Sequence, residues 1–335
     1  MPDDHSTPLF VSAETAAAVF RWEDAITALQ SVYTRAFDAV SVPSRTVASE
    51  GQAWMRTLPA MPPGCRYFGA KIMGVSQSAP VPAVEYVIVL FDRETSRIAA
   101  FVDATLVTAY RTAATSAAAL DRIAPPGPAS VCVLGSGLEA AMHVRALAAV
   151  RPLTEIIVFS PTPARREEFA RQAASDLGVP ARAVGDPREA VQQADIVIAA
   201  ARSHGEKPIV FGDWLRPNAT IVSIGSTVPQ QREIDVSVVE RVDFIVCDVL
   251  EEVLEETGDM IAAAAAGIDF HAKSFSLGAL MSGALEDRRA SARLAMFKSV
   301  GSGLQDIVVA ELILTRAREA GLVTPLPIAF RTKPV

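Results

Sequence analysis

Residues 129–147 read ASVCVLGSGLEAAMHVRAL, and this stretch decides the fold. The apolar run from Val131 to Leu134 has the length and branching of a buried strand. The turn Gly135-Ser136-Gly137 follows at once, and a stretch with helical character opens at Leu138. The pattern is G-x-G-x-x-A, with Ala140 as the third small residue. Gly135 permits the sharp turn, Gly137 lets the backbone approach a pyrophosphate, and Ala140 lets helix and strand pack closely. The exposed N–H groups and the dipole at the helix start favour a phosphate there. Alone, a glycine pattern is a weak signal; its position between a strand and a helix makes it a dinucleotide site.

Downstream, residues 155–160 read as a second strand, with a helix beginning near Pro163. ADIVIAAA (194–201), ATIVSIG (219–225) and RVDFIVCD (241–248) read as further buried strands, the last of them closing the sheet. Strands alternating with helices predict an α/β fold, a Rossmann doubly wound parallel sheet. Residues 260–290 read as an alanine-rich helical region and a glycine-punctuated loop. Residues 296–321 read as mostly one amphipathic helix that Gly321 can cap.

Upstream, Pro125-Pro126-Gly127-Pro128 is a linker. Residues 11–40 have helical spacing, and Pro43 makes the approach to Arg45 extended. Residues 52–60 and 66–74 read as strands, and 84–103 as a hairpin turning at Asp92–Ser96. On the second of those strands Lys71 lies on the face opposite Phe68 and Ile72, where pattern alone favours a solvated lysine. Residues 105–120 form a small-residue helix with Arg111 in its middle. An arginine there either snorkels to water or meets an anion, and local pattern does not choose between them.

The whole chain sets outer bounds. Its 335 residues allow two domains, and 50% hydrophobic with 21% charged residues is a globular composition. A net charge of −7 without a basic block argues against nucleic acid or an anionic membrane as partner. Apolar runs fall short of a bilayer span, and the first residues do not resemble a signal peptide. Cys65, Cys132 and Cys247 are expected to be buried free thiols in a cytoplasmic protein. The four histidines show no ligand spacing, so no metal site is expected.

Seven segments together resemble the ornithine cyclodeaminase/mu-crystallin family: VPSR (42–45), GAKIM (69–73), VTAYRTAATSAAA (107–119), LGSGLEAAMH (134–143), IGSTVPQQREID (224–235), ETGD (256–259) and FKSVGSGLQD (297–306). The resemblance implies a smaller α+β substrate-binding and dimerisation domain, residues 1–122 plus 300–335. The Rossmann domain, 123–299, is inserted in it, and a homodimer forms through the first domain's sheet. It also implies that Arg45, Lys71 and Arg111 hold a substrate carboxylate before the nicotinamide. Two arginines can fix an α-carbon by two-pronged contacts, and a lysine beside it can exchange a proton with the substrate nitrogen. Cofactor contacts are then expected at Gly135, Ser136, Gly137 and Leu138, at Ser160, Thr162 and Arg165, at Ser203, at Gly225 and Ser226, and at Val300 and Gly301.

One departure bears on the reaction. Family cyclodeaminases carry an aspartate two residues before the proline of Gly225-Ser226-Thr227-Val228-Pro229; this chain has Thr227, which cannot act as a base at neutral pH. His143 also matches the mu-crystallin-like members. The resemblance therefore implies NAD(P)H-dependent reduction of an α-imino acid, either a cyclic ketimine or the imine of a 2-oxo acid. Ornithine cyclodeaminase is the first alternative and a non-catalytic nucleotide-binding protein the second. The second strand ends in Ser160-Pro161-Thr162 with Arg165 and Arg166 beyond it, and no acid stands there to repel a 2′-phosphate. NADP(H) is thus the expected cofactor, with NAD(H) as the alternative.

Overall fold

The computed structural model describes residues 7–76, 83–201, 206–331 and 333. The chain begins with β1 (Leu9–Val11), α1 (Ala13–Val19) and α2 (Trp22–Tyr33). Next come β2 (Thr46–Glu50), β3 (Ala53–Ala60), β4 (Tyr67–Ser76), β5 (Ala83–Asp92), β6 (Ile98–Asp103) and the long α3 (Ala104–Ile123). Then follow β7 (Ala129–Leu134), α4 (Leu138–Ala148), β8 (Leu153–Phe159), α5 (Pro163–Leu177), β9 (Ala181–Ala183), α6 (Pro187–Gln192), β10 (Ile196–Ala199) and β11 (Thr220–Ser223). Beyond them lie α7 (Val236–Arg241), β12 (Phe244–Cys247), α8 (Leu250–Glu256), α9 (Gly258–Ala265), β13 (Ser274–Ser276), α10 (Leu277–Met281), α11 (Glu286–Ser291) and β14 (Ala295–Lys298). The chain closes with α12 (Gly303–Glu319) and β15 (Thr324–Pro325).

Two compact units result: residues 1–111 with 302–335, and residues 112–301. The division falls inside α3, not at the expected 122/123. The side chains explain why. Tyr110 stacks on Phe20 with ring centroids 4.0 Å apart. Further along the same helix, Ser116 bonds His143, and Arg151 donates to the Leu120 carbonyl.

The first unit is a seven-stranded mixed sheet, ordered β15-β1-β6-β5-β4-β3-β2. Leu58, Lys71, Ile88 and Val102 form one register row across four strands, and all four are buried. α12 covers this face: a Cβ on Gly303 would stand 2.6 Å from the Leu58 carbonyl oxygen. The alternate face carries the row Pro59, Ala70, Val89, Phe101 and Phe10, apolar and only half-buried. The expectation for Lys71 is thereby inverted, because its face is the covered one.

The second unit is an eight-stranded parallel sheet, ordered β13-β12-β14-β11-β10-β7-β8-β9, the doubly wound arrangement expected. β12 does not close it. β13 lies outside β12, and β14, read from sequence as the start of the last helix, is inserted between β12 and β11. The last helix therefore begins at Gly303. Its end matches expectation: Gly321 has φ +68°, and the Leu322 N–H reaches back to the Ala317 carbonyl at 2.8 Å. The single helix expected over 11–40 is two helices, interrupted where Arg21 is extended and Phe20 and Trp22 pack edge to face. Cys132 and Cys247 are buried free thiols, but Cys65 is only partly buried. No helix among the described residues is long and apolar enough to cross a membrane.

Candidate active site

Three strand-and-helix positions of the first unit converge on one carboxylate. β4 supplies Lys71, α3 supplies Arg111, and α12 supplies Asp306. The Lys71 Nζ donates to Asp306 Oδ1 at 2.9 Å, and the Arg111 Nε lies 3.0 Å from the same oxygen. All three are buried. Asp306 Oδ2 is also buried and makes no hydrogen bond among the described residues. Arg111 is held from a second side: its Nη1 donates to Gln305 Oε1 at 2.9 Å, and Gln305 in turn donates to the Tyr33 hydroxyl at 2.9 Å. The sequence left Arg111 between water and an anion; it meets an anion.

Burial, and then the Arg111 charge, lower the Lys71 pKa from 10.5 to about 8, while Asp306 pulls it upward. A buried amine with such a value is charged at neutrality but gives up its proton readily. Arg45 lies one residue before β2, and the pairing of Thr46 with Thr57 sets it in the extended row of Leu58 and Lys71. Asp306, Gln305 and Tyr33 were not foreseen. The available signal was an aspartate and a glutamine inside the apolar run GLQDIVVAEL of a helix taken to be amphipathic.

In the second unit the glycine turn has the geometry of a phosphate cradle. Gly135 has φ +128°, and a Cβ there would meet the Ala200 carbonyl oxygen at 2.6 Å. Gly137 is the N-cap of α4 and has no side-chain cap, and a Cβ there would meet nothing within 4 Å. The start of α4 thus has free space at Gly137 and no side-chain cap, and the next residue, Leu138, is 46% exposed. These residues fit a dinucleotide pyrophosphate. Ser136 donates to the Ser160 hydroxyl at 3.0 Å, linking the turn to the end of β8. The Arg166 Nη1 donates to the Ser160 carbonyl at 3.0 Å, while Arg165 and Thr162 are exposed.

The other expected cofactor positions are engaged internally or lie elsewhere. Ser226 is fully buried, and its hydroxyl donates to the Gln231 carbonyl at 2.6 Å. Gly225 N–H donates to Glu233 Oε2 at 2.9 Å. The N–H groups of Val300 and Gly301 are tied to Asp248, at 3.0 and 2.8 Å. Ser203 lies outside the described residues. Thr227 donates through its hydroxyl to Gln231 Oε1 at 3.1 Å. The two carboxylates nearest in sequence are occupied: Asp235 caps α7, and Glu233 is fully buried. Among the described residues, no group of three or more His, Cys, Asp or Glu is placed to hold a metal ion.

Comparison with known proteins matches this architecture. The sequence profile of the ornithine cyclodeaminase/mu-crystallin family covers residues 13–321. The chain is 32% identical to ketimine reductase mu-crystallin of Mus musculus over 233 residues, 70% of each chain. It is 28% identical over 270 residues to Delta(1)-pyrroline-2-carboxylate reductase of Bacillus cereus, spanning 79% of this chain and 82% of that one. Among solved structures, Delta(1)-pyrroline-2-carboxylate reductase of Thermococcus litoralis, in complex with NADH and L-proline, superposes with a TM-score of 0.86. That match covers 95% of this chain and all of the other at 25% identity.

Proposed function

The chain belongs to the ornithine cyclodeaminase/mu-crystallin family, and from that premise we propose that it reduces the C=N bond of an α-imino acid with a nicotinamide dinucleotide. The observation that carries the proposal is the buried cluster of Lys71 and Arg111 on Asp306. Its cations outnumber its carboxylate, which suits it to an anionic substrate. Arg111, locked by Gln305, offers a rigid fork for the α-carboxylate, and Arg45 is the second proposed clamp. Lys71 gives a proton to the substrate nitrogen from Nζ, and Asp306 holds that ammonium in place. The bound cofactor supplies the hydride. The relatives named above are ketimine and pyrroline-2-carboxylate reductases, which supports the same reaction class.

Thr227 supports reduction over ornithine cyclisation, because its hydroxyl is a neutral donor to Gln231 and not a base. The cofactor is proposed to bind at Gly135, Gly137 and the start of α4, with NADP(H) preferred. Ser160 stands where an acid would select NAD, and Arg165 and Arg166 lie one turn beyond. Catalytic efficiency with NADH equal to that with NADPH would refute the preference. A homodimer is proposed through the half-buried apolar sheet face, since such a face is costly to leave in water; a monomer by sedimentation at micromolar concentration would refute it. A cytoplasmic location is proposed on the free thiols. The function itself is tested with cyclic imino acids and with 2-oxo acids plus amines, following loss of reduced nicotinamide. Consumption is expected with at least one class; ammonia release from ornithine without cofactor turnover would contradict the reading.

A further inference from the structure

One buried carboxylate of the second unit has no task in the scheme above. Glu233 is fully buried, and a carboxylate in such a place is costly unless it is well bonded. Its main chain is fixed on both sides: the N–H donates to Asp259 Oδ1 at 2.8 Å, and the carbonyl accepts the Ile209 N–H at 2.8 Å. From that base the side chain reaches two neighbouring strand ends. Oε2 accepts the Gly225 N–H at 2.9 Å and the Ser223 hydroxyl at 2.7 Å. Oε1 accepts the Ala201 N–H at 3.3 Å. In register, Ala199 at the end of β10 pairs with Ser223 at the end of β11, and the Ile224 N–H still reaches the Ala199 carbonyl at 3.4 Å. Ala201 and Gly225 each lie two residues past that pair. There the Glu233 carboxylate joins the two chains, one oxygen to each backbone.

Topology says what these strand ends serve. The order β9-β8-β7-β10-β11-β14 is that of two mononucleotide halves meeting between β7 and β10. The glycine turn after β7 belongs to the first half, with the pyrophosphate; the ends of β10 and β11 belong to the second, nicotinamide half. Ala200 joins the two: its carbonyl oxygen is 2.6 Å from where a Cβ on Gly135 would stand. The glycine turn has ties of its own. The Gly135 N–H donates to the Phe159 carbonyl at 2.8 Å, and Ser136 donates to Ser160. The Glu233 carboxylate therefore bears on the second half more than on the first.

We infer that Glu233 is a positioning residue for the nicotinamide half of the dinucleotide, holding the ends of β10 and β11 at a fixed spacing. The inference rests on the proposed cofactor site. Both carboxylate oxygens are needed. A glutamine of the same size has one acceptor oxygen, and its NH2 group meets the N–H of Ala201 or of Gly225, donor against donor. One strand end is then released while the bulk of the side chain is kept.

The test measures binding to the full-length protein by titration calorimetry, with no imino acid present. It compares NADPH with ADP, a fragment that ends at the pyrophosphate. Glu233→Gln should raise the NADPH Kd by about tenfold, the scale of one lost hydrogen bond to a charged group. The ADP Kd should change by less than about twofold, a split that a general loss of folding would not produce. Ser223→Ala removes one donor to Oε2 and should raise the NADPH Kd by about threefold, again sparing ADP; it decides the matter if Glu233→Gln does not fold. An unchanged NADPH Kd in the variant that folds, or equal weakening of NADPH and ADP, overturns the inference and leaves cofactor binding standing. A wild type that binds neither NADPH nor NADH overturns both.

Discussion

Each unit of this protein contains a buried lysine–aspartate pair, and the two pairs are built for different ends. In the second unit Lys298 donates to Asp259 at 2.8 Å and to Ser223 at 3.0 Å. Asp259 Oδ1 accepts the N–H of Glu233 at 2.8 Å and of Ile234 at 3.2 Å. Glu233 accepts from Ser223 at 2.7 Å and from Gly225 at 2.9 Å, and burial pushes its pKa up to about 7. Asp259 and Glu233 are both tied to backbone N–H groups, and with Arg232 3.3 Å from Asp259 two cations face two carboxylates. In the first unit Lys71 and Arg111 share a single oxygen of Asp306. There two cations share one carboxylate, so positive charge exceeds negative within the cluster. A matched, backbone-tied pair fixes a fold; an over-supplied one is poised to receive an anion.

The largest expected effect separates the two lysines. Lys298→Met should cost about 3–5 kcal/mol of stability, because it leaves two buried carboxylates, Asp259 and Glu233, beside the part-exposed Arg232 guanidinium 3.3 Å from Asp259 Oδ1. Lys71→Met should change stability by less than about 1 kcal/mol, since Arg111 still pairs with Asp306, yet lower kcat by about 10³-fold. Denaturant unfolding and steady-state kinetics on both variants measure this, and equal stability losses would erase the distinction. Arg111→Lys comes next. It keeps the charge but loses the fork, and should cost about 2–4 kcal/mol in kcat/KM. A change below about threefold would make Arg111 structural.

The pH dependence is gentler. Lys71 is lowered from 10.5 to about 8, so reduction should be constant below about 8 and decline above it as the proton donor is lost. The linked stability term has the opposite sense. Burying this amine is unfavourable below about 8, and that cost is relieved as pH rises toward 10.5. A pH–rate profile whose upper limb persists unchanged in Lys71→Met would remove the lysine from proton transfer. The smallest effect is expected at Thr227. Thr227→Ala should keep imine reduction within about tenfold, because the hydroxyl donates to Gln231 and supplies no base.

The dinucleotide half of the fold was legible because its signals are local: a strand, a glycine turn and a helix within twenty consecutive residues. The strands around Lys71 were legible for the same reason. β14 was not, because four residues, Ala295–Lys298, are too few to show a period, and the Gly301-Ser302-Gly303 turn that parts them from the helix was read as part of it. Lys71 was read on the correct strand, but its burial depends on α12, more than two hundred residues away in sequence. Residue pattern left it a solvated lysine, and only the family resemblance pointed to its role. Asp306 escaped notice for a related reason. A lone acid in an apolar helix looks like its polar face until the helix is seen to be buried from Gly303 to Ala310.

The central claim is that hydride passes from the cofactor to the α-carbon of an imino acid held over Lys71 and Arg111. It is tested most directly with a reduced cofactor carrying deuterium at the transferring nicotinamide carbon, incubated with the protein and an α-imino acid. The account predicts an amino acid with deuterium at its α-carbon, formed in step with oxidised cofactor and lost in Lys71→Met. An unlabelled product, or conversion of ornithine to proline with ammonia released and the cofactor unchanged, would contradict it.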